Sequence, residues 1–158
     1  MRMGEGVEWG LHCCLALAWL DDLAPIPTRR LAEVFDLPAE YLKKQLQPLV
    51  KAGILASEPG ARGGYRLNRD PSAVTLMDVV SAIEGGLAPF ACMEVRQRGA
   101  GASAASSTEF RSPCGITMAM RRAELAWRRE LASQTLADLL ASTSPAAEQR
   151  VRRFLAST

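Results

Sequence analysis

The sequence is short of aromatics, of histidine and of net charge. Aromatic residues make up 6% of the 158-residue chain, one histidine is present, and 19 Lys/Arg against 17 Asp/Glu leave a net charge of +2. A charge that small does not by itself point to a nucleic-acid partner. Long apolar runs are missing too. The strongest, near residues 11–20, contains His12 and is too short to span a bilayer. The N-terminus, one Arg followed by Gly and Glu, lacks the form of a secretory signal, so the expected location is the cytoplasm. There is no C-x-x-C knuckle and no internal repeat. In a cytoplasmic chain the four cysteines point to metal, redox chemistry or burial, not to structural disulfides. What is plentiful is apolar residue, 48% of the chain, enough to build a core.

Charge is unevenly distributed. Residues 28–69 hold eight Lys/Arg against four acids, a local net of +4, and the remainder is therefore −2. In this stretch Leu31, Val34 and Phe35 fall at helical spacing behind Thr28, which predicts an N-capped helix. Asp36-Leu37-Pro38 ends it, because a residue before proline avoids the α region. Pro38 then suits the first position of a second helix, with Tyr41, Leu42, Leu46, Leu49 and Val50 inward. Pro48 is expected to kink that helix or leave one carbonyl unpaired, and Gly53 to cap it. Ile54–Ser57 and Tyr65–Leu67 read as two strands around a Gly-rich turn, 59–64.

Helix, turn, helix and hairpin in that order are a winged helix-turn-helix, which reads DNA with its second helix. The fold class expected is mainly α, a winged helix-turn-helix with a small β-hairpin wing and a long dimerisation helix. The expected DNA contacts are Thr28, Arg29, Glu40, Tyr41, Lys43, Lys44, Gln47, Arg62 and Tyr65, with double-stranded promoter DNA as partner.

The flanks have their own patterns. Residues 7–20 form an apolar helix with Glu8 and His12 one turn apart on one face. Thr75 is placed to cap a helix over Leu76–Glu84, ended by Gly85-Gly86. From Leu87 to Pro113 regular pattern disappears. The polar, small-residue run 98–109 is expected to be mobile, and Cys92 and Cys114 bracket it. From Gly115 to about Ala141 a long helix carries Ile116, Met120, Ala123, Trp127, Leu131 and Leu139 as an apolar stripe, best covered by a second copy. A last helix starts at Ser144-Pro145. The expected organisation is a DNA-binding domain over 1–86, a cysteine loop over 87–114, and a dimerisation and C-terminal region over 115–158.

These stretches together resemble the IscR/NsrR family of bacterial transcriptional regulators. The residues that carry the resemblance are LAEVFDLPAEYLKKQLQPLVKAGIL, the wing GARGGYRL, TLMDVVSAIEG, the cysteine loop and TLADLL at 135–140. The resemblance implies a winged-helix homodimer that binds promoter DNA and, in many members, an iron–sulfur sensor. Cluster-binding members typically carry three loop cysteines, whereas this loop has two. The VEWGLHCC stretch with two loop cysteines is similar to the redox-sensing branch of the family, which implies a 2Fe–2S cluster held by Cys92, Cys114, His12 and Glu8. Histidine in place of cysteine raises the potential of such a centre. The two cysteines are expected on one iron, with Glu8 and His12 of the partner chain on the other. Trp9, beside Glu8, is the candidate for a redox-switch residue, or else a core or interface tryptophan.

Alternatives stay open at this point. His12 also fits a core histidine, Glu8 a helix N-terminal acid, and Cys13 or Cys14 a substitute fourth ligand. The same residues allow a cluster-free Cys92–Cys114 disulfide switch or a zinc site. An enzyme is not expected, since no further polar residues converge on Glu8 and His12.

Overall fold

The computed structural model describes residues 3–85, 90–106 and 108–157. The chain divides into two compact units, residues 2–86 with 131–158, and residues 87–130 with Met1. The first is built on α1 (Glu5–Trp19), α2 (Thr28–Phe35), α3 (Ala39–Lys51), β1 (Leu55–Glu58), β2 (Gly64–Leu67) and α4 (Leu76–Glu84). It is completed by α6 (Leu136–Ser142) and α7 (Pro145–Ala156). The second unit carries most of α5 (Gly115–Ser133) and short 3-10 turns at Val95–Gln97 and Ala100–Ala102. Among the described residues no helix is long and apolar enough to cross a membrane.

The core of the first unit follows from the periodicity. Leu31 of α2, Leu42, Leu46 and Leu49 of α3, and Val79 of α4 are all fully buried against α1. Tyr41, expected inward, is instead 47% exposed, because its ring meets Trp9 of α1 at the edge of the core. Asp36 breaks α2 from α3 in a left-handed conformation, φ 51°, and the Leu37 amide reaches back to the Ala32 carbonyl at 2.9 Å. Thr28 does not cap α2. Pro27 holds the cap position, without a side-chain hydrogen bond. Pro38 is likewise the cap of α3 and not its first residue, and α3 runs on through Pro48. Gly53, φ 71°, follows the end of α3 and turns the chain into the hairpin.

β1 and β2 pair antiparallel from Leu55–Leu67 to Glu58–Gly64. The hairpin is tied to the chain before α2 by the Ile26–Tyr65 bridge, with both N–H···O bonds at 2.8 Å. That bridge needs glycine beside it. A Cβ on Gly64 would sit 2.2 Å from the Ile26 carbonyl oxygen, a backbone atom that cannot swing away. Gly64→Ala is therefore expected to cost about 1–3 kcal/mol by forcing the wing off the body. A lowered Tm in thermal unfolding checks it.

The largest departure from expectation lies after α5. The helical stripe was expected to run to about Ala141, but the helix stops at Ser133 and a new one starts at Leu136. The cause is a capping box: the Thr135 hydroxyl accepts from the Asp138 amide and the Asp138 carboxylate accepts from the Thr135 amide. An identical box, Thr75 with Asp78, opens α4. The two T-L-x-D segments face each other antiparallel, bridged at Thr75–Thr135, with Leu76 N to Gln134 O and Leu136 N to Val74 O both at 2.9 Å. This pairing buries Leu136 completely. Residues 131–158 group with residues 2–86 in one compact unit. Of the stretches expected to be irregular or to end α4, Gly86–Pro89 and Ser107 lie outside the described residues.

α7 is fastened to the same unit by two arginines. Arg152 grips Asp22 at 2.8 and 2.9 Å and the Trp19 carbonyl, and Arg30 of α2 donates to the Phe154 carbonyl at 2.8 Å while lying over its ring. Helix α2 is thus held from both sides, by α3 and by α7.

Candidate nucleic-acid interface and cysteine site

Helix α3, the start of α2 and the wing enclose one open groove of about 870 Å³. Its helical wall is Glu40, Lys43, Gln47 and Lys51, spaced three or four residues apart and so on one face of α3. Thr28 and Arg29 close one end, and residues 57–61 with Gly63 and Gly64 form the wing side. Lys43, Gln47 and Lys51 are exposed, and among the described residues neither lysine makes an ion pair. Arg29 is held at 3.0 Å by Glu33, and Arg66 at 3.5 Å by Glu58. Arg62 stands exposed at the wing turn and, among the described residues, makes no ion pair.

Not every expected contact lines this groove. Lys44 is exposed but points off the groove face, one residue round the helix from Lys43. Lys51, not among the expected contacts, takes its place; the i+4 step from Gln47 is the signal that finds it. Tyr41 is outside the groove wall, stacked edge-on against Trp9 with centroids 5.3 Å apart. Tyr65 borders the groove at only 5% exposure, and burial pushes its hydroxyl upward in pKa, partly offset by the Thr28 hydrogen bond.

The four cysteines separate into two kinds. Cys13 and Cys14 are fully buried in the core, and burial pushes both thiols up to about 12. They are packing residues, which removes them as substitutes for Glu8. Glu8 and His12 lie on the opposite, exposed side of α1. His12 is thus not a core histidine; its ring leans on Phe35 at the end of α2, centroids 5.6 Å apart.

In the second unit Cys92 is exposed and Cys114 half-buried, immediately before α5. The Thr117 and Ile116 amides at the helix start hold the Cys114 thiol below the usual cysteine range, and Arg96 adds to this against the opposing charge of Glu94. Thr117 Oγ1, three residues after this cysteine, is a buried oxygen without a hydrogen-bond partner among the described residues. Arg96 links the chain beside the two cysteines: its Nε donates to Glu94, whose amide donates to the Cys92 sulfur, and its Nη2 donates to the Ser112 carbonyl, two residues before Cys114. Among the described residues no three His, Cys, Asp or Glu side chains gather at one point. The donor chemistry nevertheless fits the implied centre: one pair of thiols outside the core and one imidazole–carboxylate pair on an exposed helix face.

Comparison with known proteins places this geometry. Residues 3–142 match the model of the Rrf2 family, described as an iron-dependent transcriptional regulator. The chain is 30% identical over 143 residues to YffB of Lactococcus lactis, which bears the name of an HTH-type transcriptional regulator; the match covers 90% of this chain and 89% of that one. Among solved structures it is similar to CymR, the global cysteine regulator of B. subtilis, with TM-score 0.67 and 26% identity over 91% of this chain and 99% of that one. The fold is also that of T. potens IscR, with TM-score 0.68 and 24% identity over 92% of this chain and 90% of that one.

Proposed function

Since the chain belongs to the Rrf2 family of transcriptional regulators, we propose that it binds promoter DNA as a homodimer and senses redox state through a 2Fe–2S cluster. The observation that carries the DNA half is the groove wall of Glu40, Lys43, Gln47 and Lys51 facing the wing, with its lysines unneutralised. A helix of this kind presents its donors to the major groove while cations at its edges meet phosphates. Apolar side chains left exposed on α5, Ile116 at 67% and Leu125 at 52%, support a second copy as the cover for that helix.

Cys92 and Cys114 of one chain, with Glu8 and His12 of its partner, are the proposed ligands. The donors come as two pairs, one in each compact unit. When bound, the cluster supplies a one-electron change of charge. The chain's own residues supply the route to the DNA. Glu8 and His12 sit on α1 either side of Trp9, and Trp9 packs against Tyr41 of α3, next to Glu40 of the groove wall. His12 meanwhile rests on Phe35, the last residue of α2. A shift of α1 thus reaches both helices of the reader through direct ring contacts. In a dimer a small shift alters the spacing of the two recognition helices, to which half-site binding is sensitive.

A second reading is favoured by the hydrogen bonds of Arg96, which join the chain beside Cys92 to the chain beside Cys114: a cluster-free regulator that forms a Cys92–Cys114 disulfide. Footprinting on the chain's own upstream region, with protein kept anaerobic and then oxidised, tests both readings. Protection that changes between the two states, in protein carrying iron and sulfide, supports the cluster. The same change in colourless protein supports the disulfide.

A further inference from the structure

We propose that Arg96 is the positioning residue of the cysteine pair, a latch that fastens the segment after Cys92 to the segment before Cys114 and holds the two thiols convergent before any inorganic group is bound. The inference rests on the reading that these two cysteines act together. Its basis is geometric. Arg96 lies four residues after Cys92, and its Nε donates to Glu94 Oε1 at 2.7 Å. From there its Nη2 donates to the Ser112 carbonyl at 3.2 Å, two residues before Cys114. The same guanidinium lies over the Phe110 ring, 5.6 Å from its centroid. Cys92 is folded back on the same turn, its sulfur accepting from the Glu94 amide at 3.4 Å.

One planar cation therefore ties both arms of the loop by three different contacts. Without it, two thiols separated by 21 residues of small polar chain would have to be closed each time against loop entropy. The fork geometry matters here. A guanidinium presents donors along two edges and a flat face from one rigid plane, whereas an ammonium presents all its donors from a single atom. Arg96 is a third exposed and donates away from the sulfurs, so it acts through the loop and is not itself a ligand.

The test uses full-length, reduced, metal-free protein and phenylarsine oxide. Each arsenic(III) forms two As–S bonds with a pair of thiols, and its oxygen leaves with both thiol protons as water, with no change of oxidation state. A Cys92→Ser control assigns the binding to the loop pair against the buried Cys13 and Cys14. The latch predicts one arsenic per chain in the unsubstituted protein and affinity weakened by about tenfold or more in Arg96→Ala, as effective concentration falls. Arg96→Lys is expected to stay weak. Unchanged affinity in Arg96→Ala, or full recovery in Arg96→Lys, overturns the latch. If circular dichroism shows Arg96→Ala unfolded, Phe110→Ala is read in its place, with weakening expected and unchanged affinity again overturning the proposal. Failure of the cluster reading looks different: tight arsenic binding in protein that takes up no iron and sulfide removes the cluster and leaves the latch standing.

Discussion

Replacing Lys43 and Lys51 together with alanine is expected to weaken promoter binding by roughly tenfold to a hundredfold per residue at low salt. Both side chains line the groove between α3 and the wing, and both lack an ion-pair partner among the described residues. Their charge is therefore free for phosphate. Each lost phosphate contact should also flatten the slope of log affinity against log salt by about 0.9. Lys44→Ala is the internal comparison, because Lys44 sits one residue off the groove face and should change the slope far less. Filter binding or fluorescence anisotropy across a salt series measures both quantities. Equal losses at Lys43, Lys51 and Lys44 would mean that the groove does not define the interface.

Leu136→Ala is expected to destabilise the fold by roughly 2–5 kcal/mol, the range for emptying a buried leucine site. Leu136 is completely buried, and it anchors the antiparallel pairing between the two T-L-x-D segments. Its loss opens a cavity where α6 meets α1 and the turn Pro71–Ala73. The change should appear as a lower denaturant midpoint with far-UV circular dichroism otherwise intact. An effect below about 1 kcal/mol would mean that the C-terminal helices contribute little to the DNA-reading unit.

These two positions also show where sequence reasoning succeeds and where it stops. The helix over Leu76–Glu84 is legible to the residue, because a capping box and a Gly exit are local signals. The same T-L-x-D tetrad at 135–138 is equally local. It was masked because Leu131 and Leu139 continue the apolar stripe of α5 across it. Periodicity cannot distinguish one long helix from two that share a face. The recognition helix was legible as a polar face, but which lysine enters the groove depends on where the wing folds back, and that is set by the Ile26–Tyr65 bridge. Thr28 fits a cap in sequence, whereas α2 begins at Thr28 itself and Pro27 holds the cap position.

The candidate sensor divides in the same way. That Glu8 and His12 share a face of α1 follows from spacing, and their exposure agrees with it. That Cys13 and Cys14 are inert follows only from the core that closes around them. The part played by Arg96 was invisible in sequence, since its contacts reach Ser112 and Phe110 across a loop without periodicity.

The central claim is that an electron taken up beside Glu8 and His12 is felt at the recognition helix. The most direct measurement is the visible absorption and electron paramagnetic resonance of anaerobically purified protein, as isolated and after one-electron reduction, alongside His12→Ala. A coloured native protein, a paramagnetic signal in one of its two states, and a lost or altered spectrum in His12→Ala are expected. A native protein that stays colourless with iron and sulfide supplied, or an unaltered spectrum in His12→Ala, would contradict the claim.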